Sequence, residues 1–140
     1  MPTAVTLDRL SYEIRGAAMT VHRRVGPGCF EAAYVPCFAY ELQKRGVDFR
    51  REVDIPLRYD AIVVPRAYEA DFIVEGCVVV ELKMTARPSP VDEAQLRTYL
   101  RLTGCPLALL LNFGARLLKD GILRQVKNYP HGTEPGRIPE

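Results

Sequence analysis

The chain has 140 residues, 48% of them hydrophobic and 26% charged, with a formal net charge of +2 at pH 7. That length suits one domain able to bury a core without disulfides or a structural metal. The small net charge means that composition alone does not announce a nucleic-acid partner. The longest apolar runs, such as Pro106 to Leu111, are too short to span a bilayer. No basic segment leads into an apolar stretch at the N-terminus, so no signal peptide is read and a cytoplasmic protein is expected. Cys29, Cys37, Cys77 and Cys105 form no C-x-x-C pair. They read as structural thiols, with a zinc site or a catalytic cysteine as the less favoured alternatives.

Leu10, Ile14, Ala17, Ala18, Val21 and Val25 recur at helical spacing and predict a first helix over about residues 7–25, stopped by Gly26-Pro27-Gly28. Phe30, Ala33, Tyr34, Cys37, Phe38 and Leu42 predict a second helix ending at Gly46. Pro36 falls inside it, so a kink, or a helix proper that begins near Pro36, is expected. Glu52 to Tyr59 alternates as a half-buried strand, and 60–66 reads as a turn or loop. Tyr68 to Val74 and Val78 to Met84 read as a hairpin turning at Glu75-Gly76-Cys77. Val78-Val79-Val80 is apolar on both faces, which places that strand centrally. Ser89-Pro90-Val91-Asp92 opens a third helix as a capping-box variant, and the helix closes at Gly104. Pro106 to Asn112 is a buried strand, and a last strand is expected over Leu117 to Val126, its start left open by the Lys119-Asp120-Gly121 turn signal. From Asn128 the chain turns rich in proline and glycine and reads as a flexible tail, leaving one domain over residues 1–127. The order ααβββαββ predicts an α/β mixed sheet flanked by helices. The strands before and after the third helix are then parallel neighbours.

The most informative stretch is Glu81-Leu82-Lys83, at the end of the apolar run, with Asp71 ten residues upstream. Alternation puts Glu81 and Lys83 on one face. With a three-residue turn, Val74 faces Val78 and Asp71 faces Glu81. A two-residue turn would make the relation of the acids diagonal. In the first case two carboxylates stand about 5 Å apart, where like charges repel. A divalent cation relieves this better than Lys83 alone, and Mg²⁺ takes a few carboxylate or carbonyl oxygens while leaving positions to water and phosphate. Such a set suits phosphodiester hydrolysis; the plain alternative is a structural Glu–Lys pair on a sheet face. Glu31 sits one turn before Tyr34 on the second helix, and Gln95 and Tyr99 share a face of the third. His22 alone reads as an ordinary surface or core histidine. The basic clusters Arg23-Arg24, Lys44-Arg45, Arg50-Arg51 and Arg97 with Arg101 divide evenly between solvated faces and phosphate contacts.

Taken together, these residues resemble the PD-(D/E)XK nuclease superfamily and, within it, the small GxxExxY proteins. The naming motif reads Gly28-Cys29-Phe30-Glu31-Ala32-Ala33-Tyr34, and the resemblance runs from about Leu10 to Val126, including Asn112-Phe113-Gly114. It implies a restriction-endonuclease-like core, a four- to five-stranded mixed sheet between helices. It implies Asp71, Glu81 and the Leu82 backbone carbonyl as ligands of Mg²⁺ or Mn²⁺, Lys83 as the catalytic lysine, and Glu31 as the first-helix acid near the metal. Gln95 and Tyr99 are similar to the Q-x-x-x-Y helix of RecB-type exonucleases, which supports the site and contacts nucleic acid. Tyr34 joins them on the substrate side, and His22 matches that subgroup's helix histidine, a further metal ligand. The expected activity is metal-dependent hydrolysis of nucleic acid, DNA foremost, with weak sequence specificity unless a homodimer or partner protein supplies it. The rivals are a catalytically silent nucleic-acid-binding or regulatory protein on the same scaffold and a hydrolase for another phosphoester.

Overall fold

A computed structural model describes residues 2–87 and 89–130. Helix α1 is Ala4–Val25 and α2 is Glu31–Lys44. Strand β1 is Phe49–Tyr59, β2 is Ile62–Val74 and β3 is Val78–Lys83; α3 is Pro90–Thr103, β4 is Leu107–Asn112 and β5 is Ile122–Val126. The five strands form one sheet in the order β1-β2-β3-β4-β5. Only β3 and β4 run parallel; the other neighbours are antiparallel. The expected crossover through α3 is therefore present.

The sheet separates two apolar layers. On one side Leu10, Ile14, Val21, Phe38 and Leu42 of α1 and α2 pack on Phe72, Val78, Val80, Leu82, Leu109 and Leu111. On the other, Leu96, Tyr99 and Leu100 of α3 pack on Ile55, Ala70, Ile73, Val79, Ala108 and Leu110. Both faces of β3 and β4 are covered, which explains their unbroken apolar runs. The α3 start forms as its sequence indicates: the Ser89 N–H donates to the Asp92 carboxylate at 2.8 Å, and Gly104 ends the helix in the left-handed region at φ 75°.

Of the two alternatives for the second helix, the start near Pro36 is excluded: α2 begins at Glu31 and the proline lies inside it. Three further expectations need correction. The turn expected over 60–66 is confined to Asp60-Ala61, with Asp60 at φ 50°: β2 starts at Ile62, which pairs with Tyr59. Leu117 to Gly121 does not join the last strand, because Leu118–Gly121 is a 3-10 turn. The chain is still packed at Tyr129, which is 1% exposed and donates its hydroxyl to Asp8 at 2.8 Å, so the apolar ring anchors the start of the supposed tail. The rest of that tail, 131–140, lies outside the described residues.

Candidate active site

The β2–β3 hairpin sets the site. Val74 pairs with Val78 and Phe72 with Val80, so the turn holds three residues, Glu75, Gly76 and Cys77. Glu75 and Gly76 both take positive φ, 47° and 70°. Beyond Phe72↔Val80 the backbone pairing gives way to side chains. The Asp71 N–H donates to Glu81 Oε1 at 2.8 Å, and the Leu82 N–H donates to Asp71 Oδ2 at 2.8 Å. Each acid thus receives a backbone donor from the other's strand, which fixes both carboxylates side by side.

The neighbouring strand yields at the same level. The β1–β2 ladder is continuous at Arg51↔Phe72 and Val53↔Ala70 but lapses between them, where Glu52 stands opposite Asp71 with φ 52°. Across this lapse β2 changes face: Phe72 joins the α1–α2 layer while Ala70 joins the α3 layer. Asp71 sits at the break.

The electrostatics are those of crowded, partly dry acids. Glu81 is 5% exposed. Burial first, then the Asp71 charge, pushes its carboxyl up to about 8, against stabilisation from the Asp71 N–H and Lys83. Burial also raises Asp71, opposed by its bond from Leu82, with Glu31, Glu52 and Lys83 acting through space. Lys83 is half-buried, and its ammonium makes no ion pair among the described residues. A cleft of about 440 Å³ opens beside Asp71, between Glu31 at the head of α2 and Arg51, Glu52 and Glu69 of the β1–β2 pair.

Other residues hold this end of the sheet in place. Tyr99 is buried; its hydroxyl donates to the Glu69 carbonyl at 3.2 Å and accepts from Gln95 Nε2 at 2.9 Å. That pair braces β2 two residues before Asp71. Asn112 is fully buried and clamps the chain after Lys83: Oδ1 accepts the Thr85 and Gly114 N–H groups, each at 3.0 Å, and Nδ2 donates to the Thr85 carbonyl at 2.9 Å. The Phe113 N–H adds a bond to the Lys83 carbonyl at 2.8 Å. Gly114 is required there, since a Cβ would lie 2.4 Å from the Thr85 carbonyl oxygen.

The structure thus gathers Asp71, Glu81, Lys83, Leu82 and Glu31, with Gln95 and Tyr99 behind β2. Tyr34, expected on the substrate side, is fully buried instead. It stacks on Phe113 at 4.6 Å between centroids, accepts the Cys29 N–H at 3.3 Å and donates to the Gly26 carbonyl, so it ties down the loop before Glu31. His22 bonds through Nε2 to the Ala115 carbonyl at 2.8 Å, with Phe113 beside its ring. Glu52 and Glu69 escaped the sequence reading: Glu52 reaches Asp71 only through the β1–β2 register, and Glu69, two residues before Asp71 on the same strand, was not singled out. Asn112 carried a signal, a polar residue closing an apolar strand, but its role as a clamp did not follow from that.

The donor set fits a divalent ion. Two carboxylates crowd together with one oxygen each held by a backbone N–H, which leaves the other oxygen of each for a cation that offsets their repulsion. Among the described residues no three His, Cys, Asp or Glu side chains gather in ligating geometry, so such an ion would take backbone carbonyl or water oxygens as well.

The sequence profile of the PD-(D/E)XK nuclease superfamily matches residues 8–125. The chain belongs to that superfamily, and its five-stranded mixed sheet between helices has the restriction-endonuclease-like form. Nucleases of this class generally use divalent metals. No curated protein and no solved structure matches the chain significantly. No helix among the described residues is long and apolar enough to cross a membrane.

Proposed function

We propose that the protein is a Mg²⁺- or Mn²⁺-dependent nuclease of the GxxExxY type that hydrolyses phosphodiester bonds of DNA. The observation that carries this reading is the exchange of backbone donors between the Asp71 and Glu81 strands, which presents two immobilised carboxylates near Lys83, an ammonium with no ion pair among the described residues. Asp71, Glu81 and the Leu82 carbonyl would hold the ion. An ion bound there supplies Lewis acidity toward a phosphoryl oxygen and makes a water more acidic. Lys83 orients the attacking water or faces the charge that develops on phosphorus. Glu31, exposed at the cleft, holds a second ion or a water on the entry side. Gln95 and Tyr99 act by bracing β2 rather than by reaching the substrate.

Calorimetry with Mn²⁺ tests the metal part without relying on turnover. Binding is expected in the wild type and is expected to weaken by at least about 100-fold in Asp71→Ala and Glu81→Ala, since even outer-sphere partners carry 10- to 100-fold. Lys83→Ala keeps the ion and loses cleavage of duplex and single-stranded DNA. Full cleavage by Lys83→Ala, or no Mn²⁺ uptake by the wild type, would sink the assignment. The second reading, a catalytically silent nucleic-acid-binding or regulatory protein, draws on the small number of ligating side chains. It predicts retained DNA binding with no cleavage under any divalent ion.

A further inference from the structure

A second polar cleft, of about 360 Å³, lies along the outer side of α1 and is bordered by Arg15, Arg23, Arg45 and Lys119. These cations come from three separate segments: α1, the residue after α2, and the 3-10 turn before β5. Two of them belong to basic pairs that the sequence left undecided, Arg23-Arg24 and Lys44-Arg45. Glu13 offers the one ion pair formed by these four among the described residues, to Arg45 at 3.5 Å. The Nε–H of Arg15 is shielded from solvent and has no acceptor among the described residues, an uncommon state for a buried donor. Like charge also presses from the sheet side, where Arg15 helps to lower Arg124, after burial, against the upward pull of Tyr129 and Asp8.

The convergence is built into the backbone. Gly16 sits beneath the Arg45 guanidinium: a Cβ there would meet Nη1 at 2.6 Å and Cζ at 2.9 Å. A glycine inside a helix costs stability relative to alanine, and here it lets a cation from the end of α2 lie across α1. The cleft also adjoins a second hollow toward the segment that follows β4. Met19, Arg23 and Lys119 are shared with a hollow bounded by His22, Leu117 and Leu118. That segment follows directly from β4, whose last residue, Asn112, lies beside Lys83 in register.

We propose that this cleft binds the phosphate backbone of the nucleic acid whose scissile bond the acids receive, as a sequence-independent anchor that runs from the end of β4 across α1. The proposal rests on the nuclease reading for its substrate class. Charge complementarity selects the occupant: four cations face one carboxylate, and a polyphosphate strand supplies evenly spaced anions.

Fluorescence anisotropy with a labelled duplex and a labelled single strand, in EDTA over a salt series, tests it. The triple variant R15Q/R23Q/K119Q is expected to raise Kd tenfold or more at moderate salt. The slope of log affinity against log salt should become shallower by about two to three, roughly one per lost phosphate contact. Gly16→Ala is a second probe: it should keep or raise Tm while weakening binding, because the new methyl displaces the guanidinium. Unchanged affinity and slope in the triple variant overturn the proposal. So does binding to phosphatidylserine vesicles that depends on these residues while oligonucleotide binding does not, since that makes a lipid surface the occupant. A Mn²⁺ titration of the wild type decides the acid site separately, so that failure of either reading is recognisable without the other.

Discussion

The two ends of the β2–β3 pair are built from the same strands by different means. Near the turn, Phe72, Val74, Val78 and Val80 form regular ladder pairs buried in the α1–α2 layer. At the far end, carboxylates take over the pairing, and the neighbouring β1 contact lapses at Glu52. The apolar end supplies cohesion that ignores pH and ions. The acidic end holds its shape only against the repulsion of its own charges, and neighbouring clamps carry that load. The comparison shows why the site needs so rigid a frame around so few ligating groups.

The largest expected effect comes from the apolar end. Phe72→Ala removes a fully buried ring that packs edge-on to Phe38 and Phe49, and should cost about 3–5 kcal/mol by denaturant unfolding. That loss should be the same with or without Mn²⁺ up to the binding term common to both proteins; a loss that varied with pH would blur the distinction between the ends. Gly114→Ala acts at the frame. Its methyl collides with rigid backbone at Thr85, so a loss of about 1–3 kcal/mol is expected, with weakened cleavage as Lys83 shifts. Tyr99→Phe deletes the bond to the Glu69 carbonyl and strands the Gln95 amide, for about 1 kcal/mol, with Mn²⁺ affinity reduced less than in any ligand variant.

Glu81→Gln should move stability least below about pH 4.5 and reveal the acidic end most clearly above it. The folded chain keeps a proton on Glu81 up to a pH of about 8, whereas an unfolded chain releases it near 4.5. Between those values the folded state binds more protons, so metal-free stability falls as pH rises from about 4.5 to about 8. The raised Asp71 adds in the same direction. Glutamine can still accept the Asp71 N–H but carries no charge. The variant should therefore match the wild type most closely below about pH 4.5, exceed it in Tm increasingly up to about pH 8, and show a flatter pH profile. A wild-type Tm that climbs through this window without metal would contradict the picture.

Much of this contrast was legible in the chain. The turn at Glu75-Gly76-Cys77 and the apolar run of β3 fix the register that brings Asp71 to Glu81, and both are local signals. The capping residues of α3 and the stop at Gly104 are local as well. What escaped depends on non-local pairing. Val64-Pro65-Arg66 interrupts the alternation of β2, so its first half read as a loop; pairing with β1 overrides that interruption. Without that pairing Glu52 has no reason to meet Asp71. Tyr34 was expected on the substrate side through the family resemblance, yet its ring stacks on Phe113, nearly eighty residues away, which no local signal reveals. The separation of the cations around Gly16 hid their meeting in the same way.

Because the acids serve as the last rungs of their own hairpin, their rotamers are already chosen when the chain folds. A cation arriving there finds ligands that need little further ordering, so its capture should lose little entropy and be quick. The same economy carries a vulnerability: turning either carboxylate aside to make a new contact would also unfasten the strand that presents it.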